Sequence, residues 1–229
     1  MEKRRVTLLQ VIVHVAGWLP LAKIVLDYFA DRLTANPIQA IEQRTGLVAL
    51  TFLVLSLACT PLASIFGWKE LLQRRLALGI YGFMYAALHV FTFFAIDYGL
   101  DLGAVWSDVH NKPYIIIGAL AFLLLVPLAA TSFKYWMKRL GKNWKRLHKL
   151  IYLIVPLAAF HFLLVVKGNL LRLQGNLYQP LLYGSIILVL LILRISRVRL
   201  PLIALRNRLR KFQIQRLAQF NLAARPRKH

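Results

Sequence analysis

A chain of 229 residues that is 59% hydrophobic, with a mean hydropathy of +0.60, does not have the composition of a water-soluble domain. The formal net charge of +22 does not indicate nucleic-acid binding, because the basic residues are spread over short loops instead of collecting on one folded face with stacking aromatics. We therefore predict an integral membrane protein whose basic residues meet lipid headgroups, with no nucleic-acid partner.

Apolar segments long enough to cross a bilayer recur along the chain. A helix needs about 20 residues to span a hydrocarbon core of ~30 Å. Windows of this kind lie at 7–29, 46–66, 76–96, 114–133, 148–166 and 180–198. The first follows MEKRR, but it has no small-residue cleavage site and continues to Phe29, which favours a retained helix over a signal peptide. The sequence thus predicts an all-α integral membrane protein, with a six-transmembrane-helix bundle over residues 1–200.

Basic and acidic residues alternate between the loops. Basic residues concentrate at Lys3, Arg4 and Arg5, in the loops 67–75 and 134–149, and after Arg194. Six of the eight acidic residues lie toward the other ends of the spans, namely Asp27, Asp31, Glu42, Asp97, Asp101 and Asp108. Since Lys and Arg are enriched in cytoplasmic loops, both termini are predicted to be cytoplasmic. The loops around Asp31, Asp101 and Gln174 would then lie on the outer side.

The last segment, 201–229, is predicted to be a basic amphipathic cytoplasmic tail. Its apolar residues fall roughly on one helical stripe, with arginines elsewhere: Leu205, Leu209, Phe212, Leu217 and Phe220. This pattern suits a helix lying on the inner leaflet. It suits a solvated or docking helix equally well.

The histidines are the main candidates for chemistry in the membrane. Cys59 is the single cysteine, so no disulfide forms within one chain, and no C-x-x-C-H motif exists to attach a c-type haem. Of the six histidines, His110 lies in an outer loop, His229 ends the chain, and His14 has no evident partner. The remaining three, His89, His148 and His161, fall in or at the edge of apolar spans.

His89 and His161 are predicted to lie at one depth on different helices. His89 follows Arg75, at the cytoplasmic edge of the third span, by fourteen residues, or about 21 Å at 1.5 Å per residue. His161 follows His148, at the corresponding edge of the fifth span, by thirteen residues, or about 20 Å. Two level imidazoles on separate helices are the axial ligands that a b-type haem requires. Such iron has no open position, so the spacing favours electron transfer.

Arg75 and His148 define a second level near the cytoplasmic surface. On the third span, Arg75, Gly82 and His89 share a stripe that drifts only about 20° per seven residues. Gly82 would leave room for a porphyrin, or it would simply serve helix packing. On the fifth span, His148 and His161 lie roughly 140° apart on an ideal helix. His148 is therefore expected in an interfacial turn, as a support for an inner cofactor or as a cap and headgroup contact.

Several segments resemble the MsrQ (YedZ) family over nearly the whole chain. They are RRLALGIYGFMYAALHV at 74–90, KPYIIIGALAFLLLVPLAATS at 112–132 and GKNWKRLHKLIYL at 141–153, with HVAGWLP at 14–20 and ACTPLA at 58–63 in the expected places. That family is similar to the transmembrane domain of ferric reductases and NADPH oxidases. The resemblance implies a multi-pass subunit of the bacterial inner membrane that binds haem b, and also FMN.

The resemblance also implies partners and site residues. Electrons would come from the quinone pool or a cytosolic flavin reductase and pass to MsrP, a periplasmic molybdopterin enzyme that reduces methionine sulfoxide in envelope proteins. The chain would be the electron-transfer subunit, not the substrate-reducing one. His89, His148 and His161 match the family's haem-associated histidines, and ferric reductases carry histidine where Arg75 stands. Arginine stays charged, so Arg75 is expected to pair with a haem propionate. One or two haems are compatible with this pattern.

A small transporter or proton channel, with the histidines as a relay, is the alternative function. A relay does not require two histidines at equal depth on separate helices. No inverted repeat is visible in the sequence either. The paired depths therefore favour electron transfer.

Overall fold

The computed structural model describes residues 6–166, 168–169 and 174–223, with side chains described for 6–166 and 176–215. Lys3, Arg4, Arg5 and His229 lie outside the described residues, as do the side chains of Gln174, Leu217 and Phe220. The α-helices are α1 Leu8–Phe29, α2 Pro37–Phe66, α3 Glu70–Phe91, α4 Leu102–Val109, α5 Pro113–Ala130, α6 Lys134–Leu140, α7 Lys142–Leu147, α8 Ile151–Val165, α9 Tyr178–Ile192 and α10 Ser196–Ala223. A π-helix, Thr92–Asp97, continues α3, and a 3₁₀-helix, His148–Leu150, precedes α8. Two-residue strands β1 Gly168–Asn169 and β2 Gln174–Gly175 pair antiparallel.

The predicted all-α membrane fold is confirmed. Among the described residues, five helical segments are long and apolar enough to span a membrane, and α9 is a shorter apolar helix of 15 residues. The sixth span was predicted to continue to residue 198, but α9 ends at Ile192. Arg194, just beyond this end, donates hydrogen bonds to Tyr152 on α8 and to the backbone of α2. These contacts hold the guanidinium against the protein and away from lipid.

The helix α2 forms the centre of the bundle. One hydrophobic cluster joins α2 to α5, α8 and α9, with Leu53, Leu57, Leu125, Ile154 and Ile187 among its buried members. A second cluster joins α2 to α1 and α3 and contains Val13, Phe52, Leu78, Tyr81 and Tyr85. The first helix is mostly exposed and packs against α3 and α2 only along one side.

Two proline-containing helices receive side-chain hydrogen bonds from neighbours. In α1, which contains Pro20, the hydroxyl of Tyr85 accepts from the Leu21 amide at 3.0 Å and donates to the Gly17 carbonyl at 2.7 Å. In α2, Pro61 has no amide hydrogen for the Leu57 carbonyl four residues earlier. Arg194 donates to that carbonyl at 2.6 Å instead. These side chains thus satisfy backbone groups of Gly17, Leu21 and Leu57 inside the bundle.

The connection between α5 and α8 consists of short helices joined by turns. The sharp connection between α6 and α7 occurs at Gly141, whose φ is +50°. His148 then lies in the 3₁₀-helix, which confirms the prediction that it lies outside the regular α-helix; its position at the membrane interface stays a prediction. This arrangement places Trp144, on α7, directly against His148, with ring centroids 4.2 Å apart.

Candidate functional site

The predicted proximity of His89 and His161 is confirmed. Their imidazole rings, on α3 and α8, have centroids 6.1 Å apart and are inclined at 76°. Two imidazoles bound on opposite sides of one metal ion have about 2 Å from each nitrogen to the metal. Adding about 1 Å from each nitrogen to its ring centre gives roughly 6 Å between centroids for a bis-imidazole haem. The observed spacing therefore fits one iron between the two rings.

A hydrogen bond to backbone fixes the tautomer of each ring. The Nδ1 of His89 lies 2.9 Å from the carbonyl oxygen of Glu42, and the Nδ1 of His161 lies 2.8 Å from that of Tyr114. A carbonyl only accepts hydrogen bonds, so Nδ1 carries the proton in both rings. The lone pair is then on Nε2, which is the state that a metal-binding imidazole needs.

Two glycines, Gly46 and Gly118, which no sequence pattern identified as site residues, make these bonds possible. Side chains on an α-helix lean toward its N-terminus, so a Cβ at position i+4 would cover the carbonyl at position i. Gly46 follows Glu42 by four residues, and Gly118 follows Tyr114 by four. A Cβ at Gly46 would meet the Nδ1 of His89 at 3.2 Å, and one at Gly118 would meet the Nδ1 of His161 at 2.7 Å.

The two helix pairs therefore hold their histidines in the same way. The separation from carbonyl to histidine is 47 residues in both α2–α3 and α5–α8. The separation from glycine to histidine is 43 in both. No repeat was recognised in the sequence, because the shared signal is one glycine and one histidine at a fixed distance in otherwise different apolar helices.

At the inner level, Arg75 and His148 line one cavity, as their predicted depths require. The Nε2 of His148 lies 3.2 Å from the hydroxyl of Thr131, at the end of α5. The Arg75 guanidinium has no hydrogen-bonded partner or carboxylate within the described part of the chain. Among the described residues that line this cavity, His148 has no second histidine opposite it. The inner level therefore lacks the paired imidazoles of the outer one, and iron ligation by His148 stays a prediction.

Gly82 is in close contact with another helix. A Cβ at Gly82 would lie 2.8 Å from the side chain of Leu53 and 3.3 Å from its backbone nitrogen, on α2. This is the helix-packing alternative, and it accounts for the glycine without a cofactor. His14, the remaining intramembrane histidine, does have a partner, since its Nδ1 lies 2.9 Å from the Tyr81 hydroxyl.

The family model and the similar proteins that this chain matches agree with each other. Residues 45–159 match the family model described as "Ferric reductase like transmembrane component". The chain is similar to proteins named "Protein-methionine-sulfoxide reductase heme-binding subunit MsrQ". The one from Herminiimonas arsenicoxydans is 38% identical over 192 residues, covering 83% of this chain and 86% of the relative. Those from Caulobacter vibrioides and Rhodospirillum rubrum are 37% and 38% identical, covering 85% and 84% of this chain and 90% of each relative.

Proposed function

This chain belongs to the MsrQ family of haem-binding subunits, with a ferric-reductase-like transmembrane component, and on that premise we propose that His89 and His161 hold one b-type haem for electron transfer across the inner membrane. The observation that supports this proposal is the 6.1 Å spacing of the two rings. In both rings Nδ1 is hydrogen-bonded to a backbone carbonyl, which leaves the lone pair on Nε2.

The surrounding residues define what this site does. When bound, a haem with two imidazole ligands supplies a one-electron carrier without an open position for oxygen. Glu42 and Tyr114 orient the two imidazoles through their carbonyls, and Gly46 and Gly118 keep those carbonyls accessible. These contacts fix the orientation of both rings, which would limit their movement when a bound haem gains or loses an electron.

The direction of transfer follows from the proposed orientation. Basic residues on α6, α7 and α10 and acidic residues around α4 favour cytoplasmic termini under the positive-inside rule. Electrons would enter from quinol or a cytosolic flavin reductase and leave to the periplasmic molybdopterin subunit MsrP, which repairs methionine sulfoxide. The relatives' name, haem-binding subunit of a methionine sulfoxide reductase, supports the assignment of a methionine sulfoxide reductase as the partner. FMN is a further cofactor implied by the family resemblance, without assigned residues.

A visible spectrum of the purified protein tests the haem proposal. Detergent-solubilised protein supplied with haem should show a low-spin haem b spectrum that sharpens on reduction with dithionite, because two imidazoles give a strong six-coordinate field. His89→Ala and His161→Ala should each remove most of it. His110→Ala is the matched control, since His110 is exposed near the outer surface and contacts Trp106. A folded but colourless wild type would contradict the proposal and favour the transport alternative.

A further inference from the structure

His14 is an ionisable residue on the exposed side of a membrane helix. It lies on α1 with an exposed side chain. Its neighbours on that side, Val11, Val15 and Trp18, are apolar and are 47%, 57% and 56% exposed. In a bundle that spans the membrane, this side of α1 meets lipid. Ionisable side chains are costly there and mark functional sites, and the proposed haem site does not include His14.

The hydroxyl of Tyr81, on α3, holds one edge of the His14 ring. Nδ1 of His14 lies 2.9 Å from this hydroxyl, and Tyr81 is only 9% exposed. Within the part of the chain that the structure describes, Nε2 of His14 has no hydrogen-bonded partner. The buried tyrosine therefore orients the imidazole and leaves its second nitrogen for a ligand that approaches from lipid.

The partner of Nδ1 determines which protonation states His14 can adopt. A tyrosine hydroxyl can accept a hydrogen bond or donate one, so Tyr81 supports both neutral tautomers of His14. When Nδ1 donates to Tyr81, Nε2 has the lone pair and can accept the hydrogen of a ligand hydroxyl. When Tyr81 donates to Nδ1, Nε2 carries the proton and can donate to a ligand carbonyl. His89 and His161 differ, because their carbonyl partners only accept and fix one tautomer.

Aromatic side chains surround the His14–Tyr81 pair. Trp18, one turn after His14 on α1, and His14 itself both meet the Tyr81 ring edge-on, with centroids 6.3 and 5.9 Å away. Gly17 permits this approach, because a Cβ there would lie 2.4 Å from the Tyr81 ring. The exposed indole of Trp18 offers a flat apolar surface beside the imidazole. A planar ligand ring can stack on such a surface while its polar group reaches His14.

Further rings lead from this pair to the haem site. Tyr81 packs on Phe52 of α2 with centroids 5.7 Å apart, and Phe52 is stacked on Tyr85 at 5.8 Å and 6°. Tyr85 is fully buried and precedes His89 by four residues, which is about one turn of α3. Tyr81 lies eight residues before His89, or about 12 Å along the helix. A series of packed rings thus joins the lipid-exposed pair to a proposed iron ligand.

We propose that His14, Trp18 and Tyr81, here called the His14 site, bind a membrane-soluble quinol and are the place where this donor is oxidised. The inference rests on the proposed electron-transfer function. The ligand must arrive from lipid, must have a flat ring and must interconvert a hydroxyl with a carbonyl. A quinol, which becomes a quinone on oxidation, meets all three conditions.

The oxidation at the His14 site releases two protons and two electrons. Nε2 of His14 accepts the proton of one hydroxyl as its O–H bond breaks. His14 lies six residues from the start of α1, about 9 Å, and it passes this proton to water at the cytoplasmic surface before it accepts the second. The quinol loses two electrons and becomes a quinone. Each electron in turn reduces one ferric haem to ferrous.

Anaerobic reduction of the haem-containing protein by decylubiquinol, a short-chain quinol, tests this inference. In stopped flow, His14→Ala should slow haem reduction at least tenfold, in keeping with the usual contribution of a general base. Dithionite should still give the wild-type spectrum in this variant. Tyr81→Phe keeps the ring but removes the hydroxyl, and it should slow the reaction as well. His110→Ala is the matched control and should react at the wild-type rate, because His110 is an exposed histidine that contacts Trp106 on α4.

A binding measurement gives a readout that does not depend on haem. A photoreactive azidoquinone should label the α1 segment from His14 to Trp18, as located by peptide mass spectrometry. Excess decylubiquinone should suppress this labelling in the wild type, and His14→Ala should lose most of it. Labelling near Trp106, which is 69% exposed on α4, is the control for non-specific partition and should not respond to the competitor.

Three results would overturn the inference and leave the haem proposal intact. The first is wild-type reduction rates in both His14→Ala and Tyr81→Phe. The second is labelling that responds to the competitor only on helices other than α1. The third is a wild type whose haem is reduced by dithionite but not by decylubiquinol. Absence of any haem spectrum in the wild type would instead refute the proposed function, and this inference with it.

Discussion

Gly118 lies so close to His161 that a Cβ on this glycine would stand 2.7 Å from Nδ1 of the imidazole. Real Cβ atoms do not approach so closely, so Gly118→Ala must push His161 away from the Tyr114 carbonyl. At Gly46 the corresponding distance to His89 is 3.2 Å, and a small displacement is enough. The two glycines should therefore differ in their tolerance of alanine.

We expect Gly118→Ala to lose most of its haem, or to shift the spectrum away from the low-spin bis-imidazole form. Gly46→Ala should retain haem and show at most a small spectral change. Gly184→Ala is the matched control, because no atom of another described part of the chain lies within 4 Å of a Cβ at that position. Haem content per chain and the reduced spectrum provide the measurement. Full haem loading with an unchanged spectrum in Gly118→Ala would show that the carbonyl bond is not needed.

The equal depth of His89 and His161 was predictable from the sequence, because the depth of a residue in a membrane helix follows directly from the residue count. The start of α9 and the turn at His148 were also close to expectation. The roles of Gly46 and Gly118 were not predictable, since each depends on which helix the histidine packs against. The early end of α9 depends likewise on a contact between Arg194 and α2, which no local pattern in 180–198 reveals.

The proposed direction of electron transfer depends on the orientation of the chain. In a Cys59→Ser background, which removes the buried native thiol, Asp101→Cys and Lys142→Cys place single thiols at exposed positions in the segments before and after α5. A membrane-impermeant maleimide applied to spheroplasts should label position 101 and not 142. Both should react once the membrane is permeabilised. Labelling at 142 in intact spheroplasts would reverse the electron path.

The outer loop should show a pH-dependent contribution to stability from Asp108. Lys112 and Tyr98 both donate to its Oδ2, each at 2.5 Å, and these bonds, that from Lys112 first, lower the pKa of Asp108. A carboxyl whose pKa is lower in the folded protein than in the unfolded chain, where it is about 3.9, stabilises the fold at pH values above about 3.9. This contribution is lost as the pH falls through the pKa of the folded protein. Lys112, whose pKa is raised chiefly by the bond to Asp108, stays charged throughout this range.

The comparison of wild type with Asp108→Asn measures this contribution. The difference in apparent melting temperature should be constant between about pH 5 and 8 and should shrink as pH falls below about 4. Both partners of the ion pair are partly exposed, so added salt should also reduce the difference in melting temperature between the two proteins. Asp101→Asn is a control for the helix-capping role of a neighbouring acid, since Asp101 accepts from the Ala104 amide. A difference that grows toward low pH would contradict the assignment.

Arg194 should matter to stability because Pro61 leaves a carbonyl without its usual donor. The guanidinium bonds the Leu57 carbonyl and the Tyr152 hydroxyl and lies over the Tyr152 ring, 4.7 Å from its centroid. Arg194→Ala leaves the carbonyl unsatisfied inside the bundle, at a cost of about 1–3 kcal/mol. Arg197→Ala, at an exposed position nearby on α10, should cost far less.

A double-mutant cycle separates the carbonyl bond from the packing on Tyr152. Pro61→Ala restores an amide hydrogen that can bond the Leu57 carbonyl within α2. In the Pro61→Ala background, Arg194→Ala should lower the unfolding free energy by less than it does in the wild type. The difference should be about 0.6 kcal/mol and at most ~1.7 kcal/mol, as measured for hydrogen bonds between membrane helices. Tyr152→Phe should remove the other bond independently of Pro61. If the effects of Pro61→Ala and Arg194→Ala on unfolding free energy are strictly additive, then Arg194 stabilises α2 through Tyr152 alone, and the carbonyl freed by Pro61 is satisfied in another way.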